Sequence, residues 1–87
     1  MGEMTRELAV KILEEQNRSA SREKIIMYAD AYMDYMEAQR NIKENGALVT
    51  HPKTGAPFDN PYLKIRQQMA TAIGALRLKS DPLWYDE

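Results

Sequence analysis

The chain contains no cysteine. No disulfide staples it, and no thiolate is there to hold a metal or attack a substrate. It has a single histidine, His51, with no nearby partner for a metal site or a catalytic triad, so His51 reads as an ordinary loop residue. No pair of carboxylates, no nucleophile beside a base and no metal-ligand cluster is legible anywhere. An enzyme is therefore not expected, nor a cofactor or a metal. Lys53-Thr54-Gly55 lacks the glycine spacing and following helix of a phosphate loop. Long apolar runs are missing too. Nothing approaches the length of a membrane span, and Met1 to Arg6 has neither a signal-peptide core nor a myristoylation serine or threonine. A cytoplasmic protein without a membrane partner is the expectation. Asn17-Arg18-Ser19 has the spacing of a glycosylation sequon, but it has no meaning for a chain expected to stay in the cytoplasm.

What is present suits one small helical domain over residues 1–87. The 87 residues are 44% hydrophobic and 29% charged, a balance of globular rather than disordered chains, though the core must be modest. The net charge of −1 is unevenly spread. Residues 1–45 carry seven Lys/Arg against nine Asp/Glu, residues 46–79 five against one, and residues 80–87 none against three. The middle is locally positive, but the whole lacks the basic footprint of a dedicated nucleic-acid binder.

Periodicity divides the chain into an N-terminal helix and turn (1–21), a long central helix (22–46), a hairpin or loop (47–59), a third helix (60–78) and an acidic aromatic tail (79–87). In the first helix, from Glu3 to Gln16, Leu8, Ala9, Ile12 and Leu13 share one side. Asn17 to Ser21 then breaks the pattern, and Ser19 or Ser21 suits a cap. Leu48 to His51 and Ala56 to Phe58 flank turn residues, consistent with a minimal hairpin or an ordered loop. The clearest start signal is Asn60-Pro61: asparagine suits the N-cap, and proline suits the first helical position. Tyr62, Ile65, Met69, Ala72, Ile73 and Leu76 then recur on one expected core face, opposite Lys64, Gln67, Gln68 and Thr71. The tail, with Leu83-Trp84-Tyr85, either folds back over its own core or docks on a partner, and Pro82 is expected to end any helix.

The central helix has one narrow polar stripe, Glu23, Asp30, Asp34, Glu37 and Asn41, and is apolar over well more than half of its circumference. Two neighbouring helices do not easily cover that much apolar surface. Taken singly, Tyr28, Tyr32 and Tyr35 read as core aromatics with their hydroxyls at the rim. For the face as a whole, self-association is the better reading. Met27, Tyr28, Ala31, Tyr35 and Ile42, on one flank, are the expected oligomer interface.

Tyr28-Ala29-Asp30-Ala31-Tyr32, Ala38, Gly46, Thr54-Gly55, Asn60-Pro61-Tyr62-Leu63-Lys64-Ile65 and Leu76-Arg77-Leu78 together resemble the small subunit of tailed-phage terminases. The resemblance covers about Tyr28 to Leu78. It rests on the order of elements as much as on identities. The family usually closes the third helix with Leu-Gly-Leu followed by Thr-Pro, whereas this chain has Arg77 in place of the glycine and Lys79-Ser80-Asp81-Pro82 in place of the turn.

The resemblance implies an all-α, non-catalytic DNA-packaging subunit that forms a homo-oligomer, such as a ring. Such a subunit engages double-stranded viral DNA and regulates the large ATPase–nuclease subunit in the cytoplasm of a bacterial host. A helical protein–protein interaction or regulatory adaptor with no DNA role is the alternative. With the charge distribution, the resemblance makes Arg18, Arg22 and Lys24 candidate phosphate contacts around the first turn, joined by Arg6 and Lys11 nearby. A second group is Lys53, Lys64 and Arg66 around the hairpin. Arg18, Arg22 and Lys24 are preferred, because Arg18-Ser19-Ala20-Ser21-Arg22 puts two guanidiniums beside two serine hydroxyls and a helix N-terminus.

Overall fold

In the computed structural model, which describes residues 4–84, a long helix crosses the molecule and the other elements lie along it. Helix α1 (Arg6–Gln16) leads into α2 (Arg22–Asn45). Strands β1 (Leu48–Thr50) and β2 (Pro57–Asp59) form a small antiparallel hairpin, followed by α3 (Tyr62–Leu76) and a single turn, α4 (Asp81–Trp84). The chain is thus mostly helical, with the expected hairpin before the last long helix. Thr5 caps α1, its hydroxyl accepting from the Leu8 amide at 3.1 Å. The helix starts later than its sequence pattern implied, and Glu3 lies outside the described residues. Ser21 caps α2 by accepting from the Lys24 amide at 3.2 Å, and Gly46, at φ 86°, stops it.

Apolar burial concentrates at one end. Ala9 and Leu13 of α1 pack with Ile25, Tyr28, Ala29 and Tyr32 of α2 and Leu83 of α4, with Ile73, Leu76 and Trp84 at the margin. This is the head of the molecule. Leu8 is not part of it: at 43% exposure it turns outward, because α1 is covered on one narrow side only. The tail folds back onto its own core at Leu83 and Trp84. Pro82 does not end a helix there but sits in the first turn of α4, where an amide hydrogen is dispensable. Tyr85 lies outside the described residues.

Beyond the head, α2 and α3 run on as a two-helix arm joined by the hairpin. The result is elongated, with extents of 52 × 29 × 17 Å and a radius of gyration of 15.3 Å. A compact chain of this length would have a radius of about 12 Å. No residue of α3 is buried, so the face expected to be core is only half covered. Two helices without a third enclose only the small Ala38 of α2 and leave the larger side chains of α3 partly open.

The proposed oligomer flank divides accordingly. Tyr28 and Ala31 are buried inside this chain, at 2% and 8% exposure. Tyr28 belongs to the core of the head. Tyr35 and Ile42 are half-buried, and Met27 alone is open, at 58% exposure.

Two positions fix the arm's ends. The hairpin pairs Leu48 with Asp59, Val49 with Phe58 and Thr50 with Pro57. Immediately after it, Asn60 is buried, at 3% exposure. Its Oδ1 accepts from the Tyr62 amide at 3.0 Å, while its Nδ2 donates to Asn41 Oδ1 and to the Gly46 carbonyl, both at 2.9 Å. Pro61 already has helical dihedrals (φ −56°, ψ −24°), so Asn60 is the capping residue by geometry although regular helix begins at Tyr62. At the other end of α3, Arg77 takes a left-handed conformation, φ 54° and ψ 40°. The family's glycine is replaced, yet the backbone keeps the turn for which glycine is favoured.

Candidate nucleic-acid interface and subunit surface

The antiparallel return of α3 decides which cations are neighbours. Arg18, Arg22 and Lys24 stand at the head, where α1 turns into α2, and Lys53, Lys64 and Arg66 stand at the hairpin end. From Lys24 to Gln39, which Arg66 reaches, α2 rises by about 22 Å, so no single phosphate meets both groups. Arg66 lies against α2, its Nη1 donating to Gln39 Oε1 at 2.8 Å. Lys53 is in the exposed hairpin turn, and Lys64 is exposed on the first turn of α3.

Several head cations are already engaged. Arg22 Nη1 meets Glu14 Oε2 at 3.2 Å across an exposed pair, which is a weak tether. Arg6 pairs with Asp30, and the hydrogen bond to that carboxylate, aided by its charge, holds the guanidinium pKa above its ordinary value. Arg6 thus belongs to an α1–α2 tie. Lys11 and Lys24 are exposed and, like Arg18, make no side-chain bond among the described residues.

The tertiary structure adds two cations that the sequence pattern did not single out. Arg77 and Lys79, in the link from α3 to α4, come beside Arg18 and Ser19 and line with them an open groove of about 510 Å³. Asn17 holds the two walls together. Its Oδ1 accepts from the Lys79 amide and its Nδ2 donates to the Lys79 carbonyl, both at 2.7 Å, while Nδ2 also donates to the Leu13 carbonyl at 2.9 Å. The charge excess of residues 46–79 was the only sequence signal for this pair, because no local motif contains them.

The apolar surface is equally uneven. Leu48 and Phe58 on the hairpin and Ile65 on α3 are exposed, as are Met27 and Leu8 nearer the head. Between α2 and α4 a further hollow of about 280 Å³ is lined by Tyr35, Met36 and Trp84 with Gln39, Arg40 and Lys43 at its edge. Trp84 stands edge-on to Tyr35, ring centres 5.5 Å apart, and to Tyr32, 4.9 Å apart. No metal-binding cluster of His, Cys, Asp or Glu occurs among the described residues, and none of the described helices is long and apolar enough to cross a membrane.

Fold and surface define a small helical module with a cation-lined head and an incompletely covered arm. Residues 5–77 match the family model described as "Phage terminase, small subunit", and the chain belongs to that family. The match reaches further toward the N-terminus than the resemblance read from Tyr28 to Leu78, taking in α1, and it stops before α4. No curated protein and no solved structure matches the chain significantly. Membership supports a role in phage DNA packaging.

Proposed function

We propose that the chain is an oligomeric, non-catalytic terminase small subunit that binds double-stranded viral DNA and regulates the large ATPase–nuclease subunit. The observation that carries the proposal is the unfinished arm in a chain of this family, since α3 has no buried residue and its apolar side chains lie half open. A second copy laid along the arm supplies the missing layer, with Met27, Tyr35, Ile42, Ile65 and Met69 as the side chains still able to enter such an interface. Repetition of a weakly charged head around an assembly turns modest phosphate affinity into avidity. Arg18, Arg22 and Lys24 at the head are the phosphate-binding residues proposed, with Lys53, Lys64 and Arg66 as the alternative set.

Light scattering during gel filtration, run beside a duplex-binding titration and a pull-down with the large subunit, tests the three parts separately. The expected mass is a multiple of 10.0 kDa. A strictly monomeric mass at micromolar concentration removes the oligomer and most of this reading. Oligomers that ignore DNA at low salt would instead indicate a helical adaptor.

A further inference from the structure

The groove at the head gathers three cations from two separate segments of the chain. Arg18 and Ser19 from the α1–α2 turn face Arg77 and Lys79 from the α3–α4 link, and no carboxylate lines the space between them. Arg22 and Arg6, by contrast, are already engaged, with Glu14 and Asp30. Among the described residues, the side chains of Arg18, Arg77 and Lys79 have no hydrogen-bond or ion-pair partner. Like charges gathered on two walls repel one another until an anion lies between them.

The walls are also fixed. Asn17 bonds both the amide and the carbonyl of Lys79 at 2.7 Å, so the link cannot swing away from the turn without breaking two short hydrogen bonds. Arg77 is the only non-glycine among the described residues with a positive φ, a conformation in which an L side chain is strained and glycine is not. A charged side chain kept at such a position is a reason to look for what it meets.

We infer that this groove seats a phosphodiester group of duplex DNA, with Arg77 and Lys79 on one wall and Arg18 and Ser19 on the other. The inference rests on the DNA-binding reading above and extends it to Arg77 and Lys79. The chemistry suits the ligand: guanidinium forks and an ammonium surround the phosphate charge, and the Ser19 hydroxyl supplies a further donor. The site reads backbone and not sequence, so it would hold register on any duplex.

The test is duplex affinity measured by fluorescence anisotropy across a salt series. The variant Arg77→Gly/Lys79→Ala removes both charges, and glycine suits the left-handed backbone, so the fold is retained; circular dichroism checks that it is. The magnitude of the logarithmic salt slope should fall by about two, one for each cation withdrawn from the phosphates. Arg77→Lys/Lys79→Arg should keep the slope, as should Arg40→Ala/Lys43→Ala, which removes the same charge elsewhere. An unchanged slope in Arg77→Gly/Lys79→Ala overturns the inference and leaves the DNA-binding reading standing. An equal fall in Arg40→Ala/Lys43→Ala overturns it too, since net charge alone would then account for the effect. Pyrophosphate at matched ionic strength should not displace the duplex; displacement would mark a site for free phosphates and overturn the assignment to DNA. A wild-type chain that binds no duplex at low salt removes the DNA-binding reading itself, and this inference with it.

Discussion

Asn60 joins three segments with one side chain: it caps α3 through Tyr62, ties the hairpin exit to the Gly46 carbonyl and reaches Asn41 on α2. A solvent-exposed cap is worth about 1 kcal/mol, and a buried donor adds about 1 kcal/mol more. Asn60→Ala should therefore lower stability by about 2 kcal/mol and the thermal midpoint by roughly 10 °C. Asn60→Asp separates the two contributions, because it keeps the acceptor for Tyr62 and loses the donor to Gly46. A midpoint equal to wild type would show that only the cap matters. Arg77 behaves in the opposite sense. Its left-handed backbone costs about 1 kcal/mol or more for a residue with a Cβ, and glycine returns part of that through its looser unfolded state. Arg77→Gly should raise the midpoint by a few degrees, read by calorimetry, even as it weakens DNA binding.

At the scale of an element, α4 is a single turn that encloses the head. Leu83 is buried among Ala9, Leu13 and the tyrosines of α2, and the Tyr32 hydroxyl donates to its carbonyl at 2.9 Å. The Trp84 indole N–H lies 3.1 Å from Ser80 Oγ and 3.3 Å from the Tyr28 hydroxyl, so backbone and rings hold the turn together. One turn has no helical stability of its own. Its order comes from packing, and truncating its anchor should free it. Leu83→Ala is expected to cost about 2–3 kcal/mol and to shift the emission of the single tryptophan, Trp84, to longer wavelength in the native state. Unchanged emission would mean that α4 docks without its leucine.

On the scale of the whole molecule, the dimensions matter more than any one residue. A body 17 Å thick along its short axis leaves α3 without a buried residue, and the exposed apolar residues are distributed along its length. Met27→Glu/Ile65→Lys should leave helical content and the head core intact while reducing the mass measured by light scattering. If the mass is unchanged, the copies meet through other surfaces, of which the hairpin residues Leu48 and Phe58 are the first to substitute.

Local chemistry alone determined much of this protein. Asn60-Pro61 fixed where α3 starts and Gly46 where α2 stops, and the cap of α2 was narrowed to Ser19 or Ser21, because capping depends on residues within one turn of each other. The narrow polar stripe of α2 was equally legible; Glu23, Asp30, Asp34 and Glu37 are all exposed. Tertiary structure decided the rest, since helical periodicity says that a face is apolar but not which neighbour covers it. Tyr28 packed into the head, Pro82 began a turn rather than ending one, and α3 was left half open. The groove was invisible for the same reason: Arg18 and Arg77 lie at opposite ends of the sequence, and only the antiparallel return of α3, locked by Asn17, brings their charges onto one surface.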